Sequence, residues 1–216
     1  MEKRGIIFDF DYTLGDSTEA IWQGFRKSFA ELGYPEPERE AVRHTVGYTL
    51  EDGFTMLTGC GDADARERFH ALFQQYGRPL MLDFTVLLPG AVELLSTLKQ
   101  CEIPTAIVST KRGETIRDIL NHHGIPELVS FVVGAEDVTL CKPDPEGLLQ
   151  AMDRLNLPKH ALLFCGDTVI DAETALRGGI DFCAVLNGTT KREAFTPFPK
   201  RYIAENLLDL KQWLRI

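Results

Sequence analysis

Short, nearly continuous apolar runs recur along this chain, and they limit its possible folds more than any other feature. They lie at residues 5–10, 105–109, 131–134, 162–166, 182–186 and 202–204. Most are unbroken Ile, Val, Leu, Phe and Ala. A strand with one face in water alternates apolar and polar residues; a strand buried on both faces does not. The runs therefore predict a parallel sheet covered on both sides. Helix candidates with readable ends lie between them, at 91–100, 110–123, about 144–155 and 169–177. Pro89-Gly90 precedes the first, whose stripe is Val92, Leu95 and Leu98. Asp144-Pro145 has the N-cap and first-turn chemistry that opens a helix. Gly124 and Gly178-Gly179 stand where a left-handed stop would follow one. Strands alternating with helices imply right-handed crossovers and a doubly wound, mainly parallel α/β fold.

One segment breaks that rhythm. About seventy residues, 15–83, lie between the first run and the Pro89-Gly90 that opens the next helix candidate, too many for a structureless loop. The stretch instead reads as helices at 19–32, 50–57 and 63–76, separated by Gly33-Tyr34-Pro35 and Gly59-Cys60-Gly61. The expected organisation is a core of residues 1–14 plus 85–216 with a helical domain, 15–84, inserted after the first strand. A chain of 216 residues, 44% of them hydrophobic, can bury a core of that size without staples.

Acidic residues number 32 against 23 basic ones, a formal net charge of −9. Such a surface repels nucleic acid and anionic membrane, so neither is an expected partner. A small anionic substrate then requires a site that reverses the sign locally. Cys60, Cys101, Cys141, Cys165 and Cys183 are odd in number, scattered and without CxxC spacing. They read as reduced cysteines of a cytoplasmic protein, not as disulfides or a zinc site. Met1-Glu2-Lys3-Arg4 runs straight into the first apolar run, so neither a signal peptide nor a membrane span is expected.

In doubly wound sheets, ligands bind at the carboxyl ends of the strands. The first run ends in Asp9-Phe10-Asp11-Tyr12-Thr13-Leu14 and the second in Ser109-Thr110-Lys111. Lys142-Pro143-Asp144-Pro145 follows the third. The fourth ends in Gly166-Asp167, with Asp171 in the first turn of the next helix. Taken singly, each has an ordinary structural explanation as turn, cap, strand end or solvated lysine. Together they suggest that Asp9, Asp11, Asp167 and Asp171 converge. Four carboxylates so placed would repel and raise one another's pKa, a penalty that a divalent cation removes. An all-oxygen ligand set points to Mg2+ over zinc. Lys142, Ser109 and the backbone N–H groups after Ser109 add donors suited to phosphate.

These motifs resemble those of the haloacid dehalogenase-like hydrolase superfamily in its phosphatase branch. Asp9-Phe10-Asp11-Tyr12-Thr13-Leu14 resembles the first motif, DxD(G/x)T(L/V), and Ser109 the second. Lys142-Pro143 resembles the third, and Gly166-Asp167-Thr168-Val169-Ile170-Asp171 the fourth, GDxxxD. The resemblance covers essentially the whole chain, and the helical insert is similar to the α-helical cap of phosphoglycolate phosphatase-like and β-phosphoglucomutase-like members. It implies a Rossmann-like core and a Mg2+-dependent phosphatase for a small phosphomonoester, with phosphoglycolate the first candidate. Asp9 would be the nucleophile, forming an aspartyl-phosphate, and Asp11 the general acid and then base. Asp9, Asp167 and the Asp11 backbone carbonyl would hold the metal, with Asp171 orienting groups around it. Ser109 and the Thr110 amide would bind a phosphoryl oxygen, and Lys142 would neutralise transition-state charge. Cap hinges would lie near 14–17 and 82–85. Within the cap, Arg43-His44-Thr45-Val46-Gly47 resembles a specificity segment. Arg43 is either a binder of a second anionic substrate group or a solvated surface arginine. Tyr12 stands where the family most often has glycine. It implies an ordinary φ or some strain, and its ring is a candidate for narrowing substrate choice. Two alternatives share this core: a sugar-phosphate phosphomutase, and a non-catalytic phosphate-binding or regulatory protein. The expected assembly is a monomer or a homodimer.

Overall fold

The computed structural model describes residues 4–216. The start of the polar lead-in, residues 1–3, lies outside the described residues. The chain divides into two compact units, one of Met1–Asp16 with Leu87–Ile216 and one of Ser17–Val86.

The first unit begins with β1 (Gly5–Phe8) and the two-residue β2 (Gly15–Asp16). The second unit carries α1 (Thr18–Leu32), α2 (Arg39–Arg43), α3 (Leu50–Thr58), α4 (Ala63–Tyr76) and α5 (Met81–Phe84). The chain returns through β3 (Val86–Leu87), which pairs with β2. There follow α6 (Ala91–Gln100), β4 (Thr105–Val108), α7 (Gly113–His122), β5 (Phe131–Val133) and α8 (Glu146–Leu155). The last elements are β6 (Leu162–Gly166), α9 (Val169–Gly178), β7 (Asp181–Val185), β8 (Tyr202–Ala204) and α10 (Leu207–Leu214).

Six strands form one sheet in the order β5-β4-β1-β6-β7-β8, and every pair is parallel. The expected doubly wound α/β architecture is present. Strand β1 sits in the middle, flanked by β4 and β6, so its carboxyl end is the point where the winding reverses. Register follows burial. Ile6 pairs with Thr105 and Leu163, and Ile7 with Ala106 and Phe164. Ile7, Val108, Val133, Phe164 and Phe182 form one core with Leu148 and Ala151 of α8 and Ala172 and Ala175 of α9. Successive side chains of a strand point to opposite faces, so Ile6 and Phe8 face the other layer, and both are fully buried. This double burial explains why the strands are continuous apolar runs.

Helix ends follow local chemistry. Gly33, Gly59 and Gly179 close α1, α3 and α9 in the left-handed conformation, where an L side chain would be strained. Helix α7 starts at Gly113 instead of the expected 110, leaving 109–112 as a loop. Helix α8 starts at Glu146, whose N–H donates to Asp144 Oδ1 at 2.9 Å.

The helical unit has its own aromatic core. Phe25, Phe29, Phe54, Phe69 and Phe73 come from α1, α3 and α4, with Phe25–Phe69 centroids 4.8 Å apart and Phe54–Phe69 stacked at 4.9 Å. Phe69 is fully buried and meets four of these rings. Phe69→Ala is expected to cost about 3–5 kcal/mol of stability, the usual penalty for a phenyl-sized cavity. Chemical denaturation measures this, and a loss below ~1 kcal/mol would contradict the packing.

Candidate active site

The carboxyl ends of β1, β4 and β6 are neighbours, and chemistry-bearing residues follow each. Asp9 leaves β1 with its N–H on the Cys165 carbonyl at 2.9 Å, which fixes it beside the end of β6. Asp167 follows β6, and Asp171 lies in the first turn of α9. The spacing from Asp167 to Asp171 is set by a capping box. The Asp171 N–H donates to Thr168 Oγ1, while Asp171 Oδ2 accepts from Thr168 N at 3.0 Å and from Thr168 Oγ1 at 2.6 Å. Gly166 makes room for this turn, since a Cβ there would fall 2.4 Å from Asp171 Cγ.

Carboxylate oxygens of Asp9, Asp167 and Asp171 lie within 4.8 Å of one another, and all three residues are buried. Lys142 reaches among them. Its Nζ is 2.8 Å from Asp9 Oδ1 and 2.5 Å from Asp171 Oδ1, and its side chain is only 3% exposed. Burial opposes the lysine charge, but Asp171 and Asp9 outweigh it and hold the ammonium well above its ordinary range. One cation faces three carboxylates, so the acids are not fully compensated. The Asp9 carboxyl stands at about 6: burial raises it most, Lys142 pulls it down and Asp171 pushes it up. Asp167 is raised well above the usual carboxylate value, by burial first and then by Asp171 and Asp9.

The four-carboxylate cluster expected from the sequence is thus three carboxylates. Asp11 is turned to a different partner. Lys111 Nζ lies 2.9 and 3.2 Å from its two oxygens. Lys111 is a site residue that motif reading missed, because nothing in its sequence position shows where a long side chain reaches. Tyr12 has φ 56°, in the left-handed region, so the strained alternative holds for that residue. It is buried. The loop after β7 also reaches the site: a Cβ on Gly188 would fall 2.0 Å from Asp167 Oδ2 and 3.1 Å from Tyr12 Cβ.

Ser109 follows β4, and its Oγ accepts from the Lys111 N–H at 3.3 Å. Thr110 is the next residue in the same loop. The N-terminus of α7, a natural anion seat, is filled by the chain itself. Glu136 accepts from the N–H groups of Gly113 at 2.8 Å and Glu114 at 2.9 Å. Phosphate donors in this stretch are therefore to be sought at Ser109 and Thr110, not in the helix end. Arg43 lies in the other unit, where its guanidinium donates to Glu40 at 3.4 Å.

A divalent cation fits the acidic cluster. Asp167 Oδ2 is buried with no hydrogen-bond partner among the described residues, whereas Asp167 Oδ1 accepts from Thr13 at 3.4 Å. A buried, unpartnered carboxylate oxygen is costly unless something cationic meets it. Both Asp171 oxygens are already engaged by Lys142 and Thr168, so Asp171 holds the lysine more than it offers a ligand.

Residues 6–185 match the family described as haloacid dehalogenase-like hydrolase. The chain belongs to this family. A haloacid dehalogenase-like hydrolase from Bacteroides fragilis superposes with a TM-score of 0.93 at 37% identity, covering 96% of this chain and 99% of that one. Pyrophosphatase PpaX of Oceanobacillus iheyensis is 28% identical over 97% of this chain and 96% of its own. Phosphoglycolate phosphatase of Pseudomonas syringae is 28% identical over 85% of this chain and 69% of its own. Among the described residues of this haloacid dehalogenase-like hydrolase, no helix is long and apolar enough to cross a membrane.

The buried acids predict a pH dependence. A raised pKa means the folded state favours the neutral carboxyl. The associated stability is complete below the ordinary value of 3.8 and is lost as pH rises through about 6 for Asp9. In a chelator, the wild type is expected to lose roughly 1–3 kcal/mol between pH 4 and 7 from this source. Asp167→Asn should lose less and be the more stable protein at pH 7. Denaturation curves at both pH values test this, and identical slopes for the two proteins would contradict it.

Proposed function

We propose that this chain is a phosphoric monoester hydrolase, a magnesium-dependent phosphatase acting on a small phosphomonoester through an aspartyl-phosphate at Asp9. The observation that carries the reading is the pairing of a buried carboxylate, Asp9, with a buried lysine 2.8 Å away, beside the unpartnered oxygen of Asp167. The relatives named phosphatase and pyrophosphatase support the same reaction class. Five cysteines that form no disulfide among the described residues, two of them buried, fit a reducing cytoplasm.

Asp9, Asp167 and the backbone carbonyl of Asp11 would hold Mg2+, with Asp171 beside them. When bound, the ion supplies positive charge to the phosphoryl oxygens and to the cluster's uncompensated acids. Asp9 attacks phosphorus and the ester bond breaks. Asp11 gives its proton to the leaving oxygen. In the second half-reaction Asp11 takes a proton from water as the aspartyl-phosphate bond breaks, so the acid is restored. Lys142 is held by Asp171 at Asp9, where it meets the charge that accumulates on the transferring group. Ser109 and the Thr110 amide hold a phosphoryl oxygen. The helical insert, 15–84, is assigned as the family's cap, and Arg43 within it and Tyr12 in the core are the candidate specificity residues. Phosphoglycolate is the first substrate to test, and pyrophosphate is the second, because the relative so named matches over nearly the whole chain.

The test is hydrolysis of p-nitrophenyl phosphate, phosphoglycolate and pyrophosphate with Mg2+ and with chelator. The wild type should turn over only with Mg2+, and Asp9→Asn should be slower by at least about 10³-fold. Equal activity of the two proteins, or no Mg2+-dependent turnover of any ester, would overturn the reading.

A further inference from the structure

Asp11 stands outside the Asp9–Asp167–Asp171 cluster, and its partner belongs to the loop after β4. Lys111 Nζ spans both Asp11 oxygens at 2.9 and 3.2 Å, and each side chain is only about a tenth exposed. The same lysine is tied down at its backbone, whose N–H donates to Ser109 Oγ at 3.3 Å. Its ammonium also lies 5.9 Å from the Phe10 ring centroid. One residue thus connects the loop after β4 to the loop after β1.

Asp11 itself stands in a tight turn, where the Tyr12 N–H meets the Gly15 carbonyl at 2.6 Å. That turn fixes the Asp11 backbone and leaves its side-chain torsions to be chosen by contacts. Among the contacts described, Lys111 is the ionic one.

We propose that Lys111 is a positioning residue for Asp11, holding its carboxyl group in one orientation through both half-reactions. The proposal rests on the phosphatase reading above. In the first half-reaction the ester O–P bond breaks and the leaving oxygen takes the Asp11 proton. In the second, water attacks phosphorus, the Asp9 O–P bond breaks, and the water proton passes to Asp11. Lys111 transfers nothing. It fixes where the two Asp11 oxygens point, in a place where water is largely excluded and a lost partner is felt strongly.

Leaving-group dependence separates this role from a structural one. A nitrophenolate departs without a proton, whereas an alkoxide requires one. With Lys111→Met, kcat/KM for an alkyl phosphate is expected to fall about 30–100-fold, against less than about 3-fold for p-nitrophenyl phosphate. Lys111→Arg should recover most of the loss. Inhibition by inorganic phosphate should be unchanged, since Lys111 is not assigned to phosphate binding. In an Asp11→Asn background, Lys111→Met should cost nothing further. If the methionine variant does not fold, Lys111→Gln carries the same prediction. An equal loss with both esters, weakened phosphate inhibition, or a full additive loss in the Asp11→Asn background would overturn the proposal while leaving the phosphatase reading intact. A wild type that hydrolyses neither ester would overturn both.

Discussion

Three buried carboxylates share one buried ammonium, and the rest of the site is arranged around that imbalance. Lys142 is close enough to Asp9 and Asp171 to secure its own charge. It leaves Asp167 with an oxygen that no described group meets. Buried charge without a partner is among the costliest features a fold can carry. A chain that keeps it has a use for the residual field, and a divalent cation followed by a phosphoryl group is the chemistry that field selects. The formal charge of −9 over the whole molecule makes the local arrangement more telling. Under the proposed function, attraction for an anionic ester is created at the site, by Lys142, by Ser109 and the Thr110 amide, and by the ion the acids would hold.

The sheet makes this convergence possible. Because β1 lies between β4 and β6, the chain ends three non-adjacent segments at one place. Short parallel strands end where their apolar runs end, so polar residues that follow them are delivered together. The flanking glycines serve the same purpose at close range. Gly166 and Gly188 lie where any Cβ would collide with Asp171 or Asp167. The left-handed turn at Tyr12 costs strain of the kind that persists where surrounding structure enforces it.

Much of this was legible in the sequence, for identifiable reasons. Strands buried on both faces are written as unbroken apolar runs, so β1, β4, β6 and β7 could be read directly. Asp9, Ser109 and Asp167 could be picked out because their places follow from strand ends, and Lys142 because it precedes the Pro143-Asp144-Pro145 that leads into α8. What could not be read depends on reach and on local competition. Lys111 looked like any strand-end lysine, and its pairing with Asp11 is a contact across 100 residues. Glu136 gave no sign that it would occupy the start of α7, which begins at Gly113. Helix α2 and strands β2 and β3 are too short to carry a period. For Tyr12, residue type argues against a positive φ, and only the turn closing on Gly15 imposes it.

The proposed reaction requires that a divalent cation meet the cluster's excess negative charge. Proton release on Mg2+ binding tests that requirement most directly. Calorimetric titration near pH 6, in buffers of different ionisation enthalpy, counts the protons set free. Raised carboxyl groups at Asp9 and Asp167 must ionise to bind the ion, so Mg2+ binding is expected to release protons at pH 6, and fewer as the pH rises above the Asp9 value of about 6. Absence of Mg2+ binding, or binding with no proton release at pH 6, would contradict it.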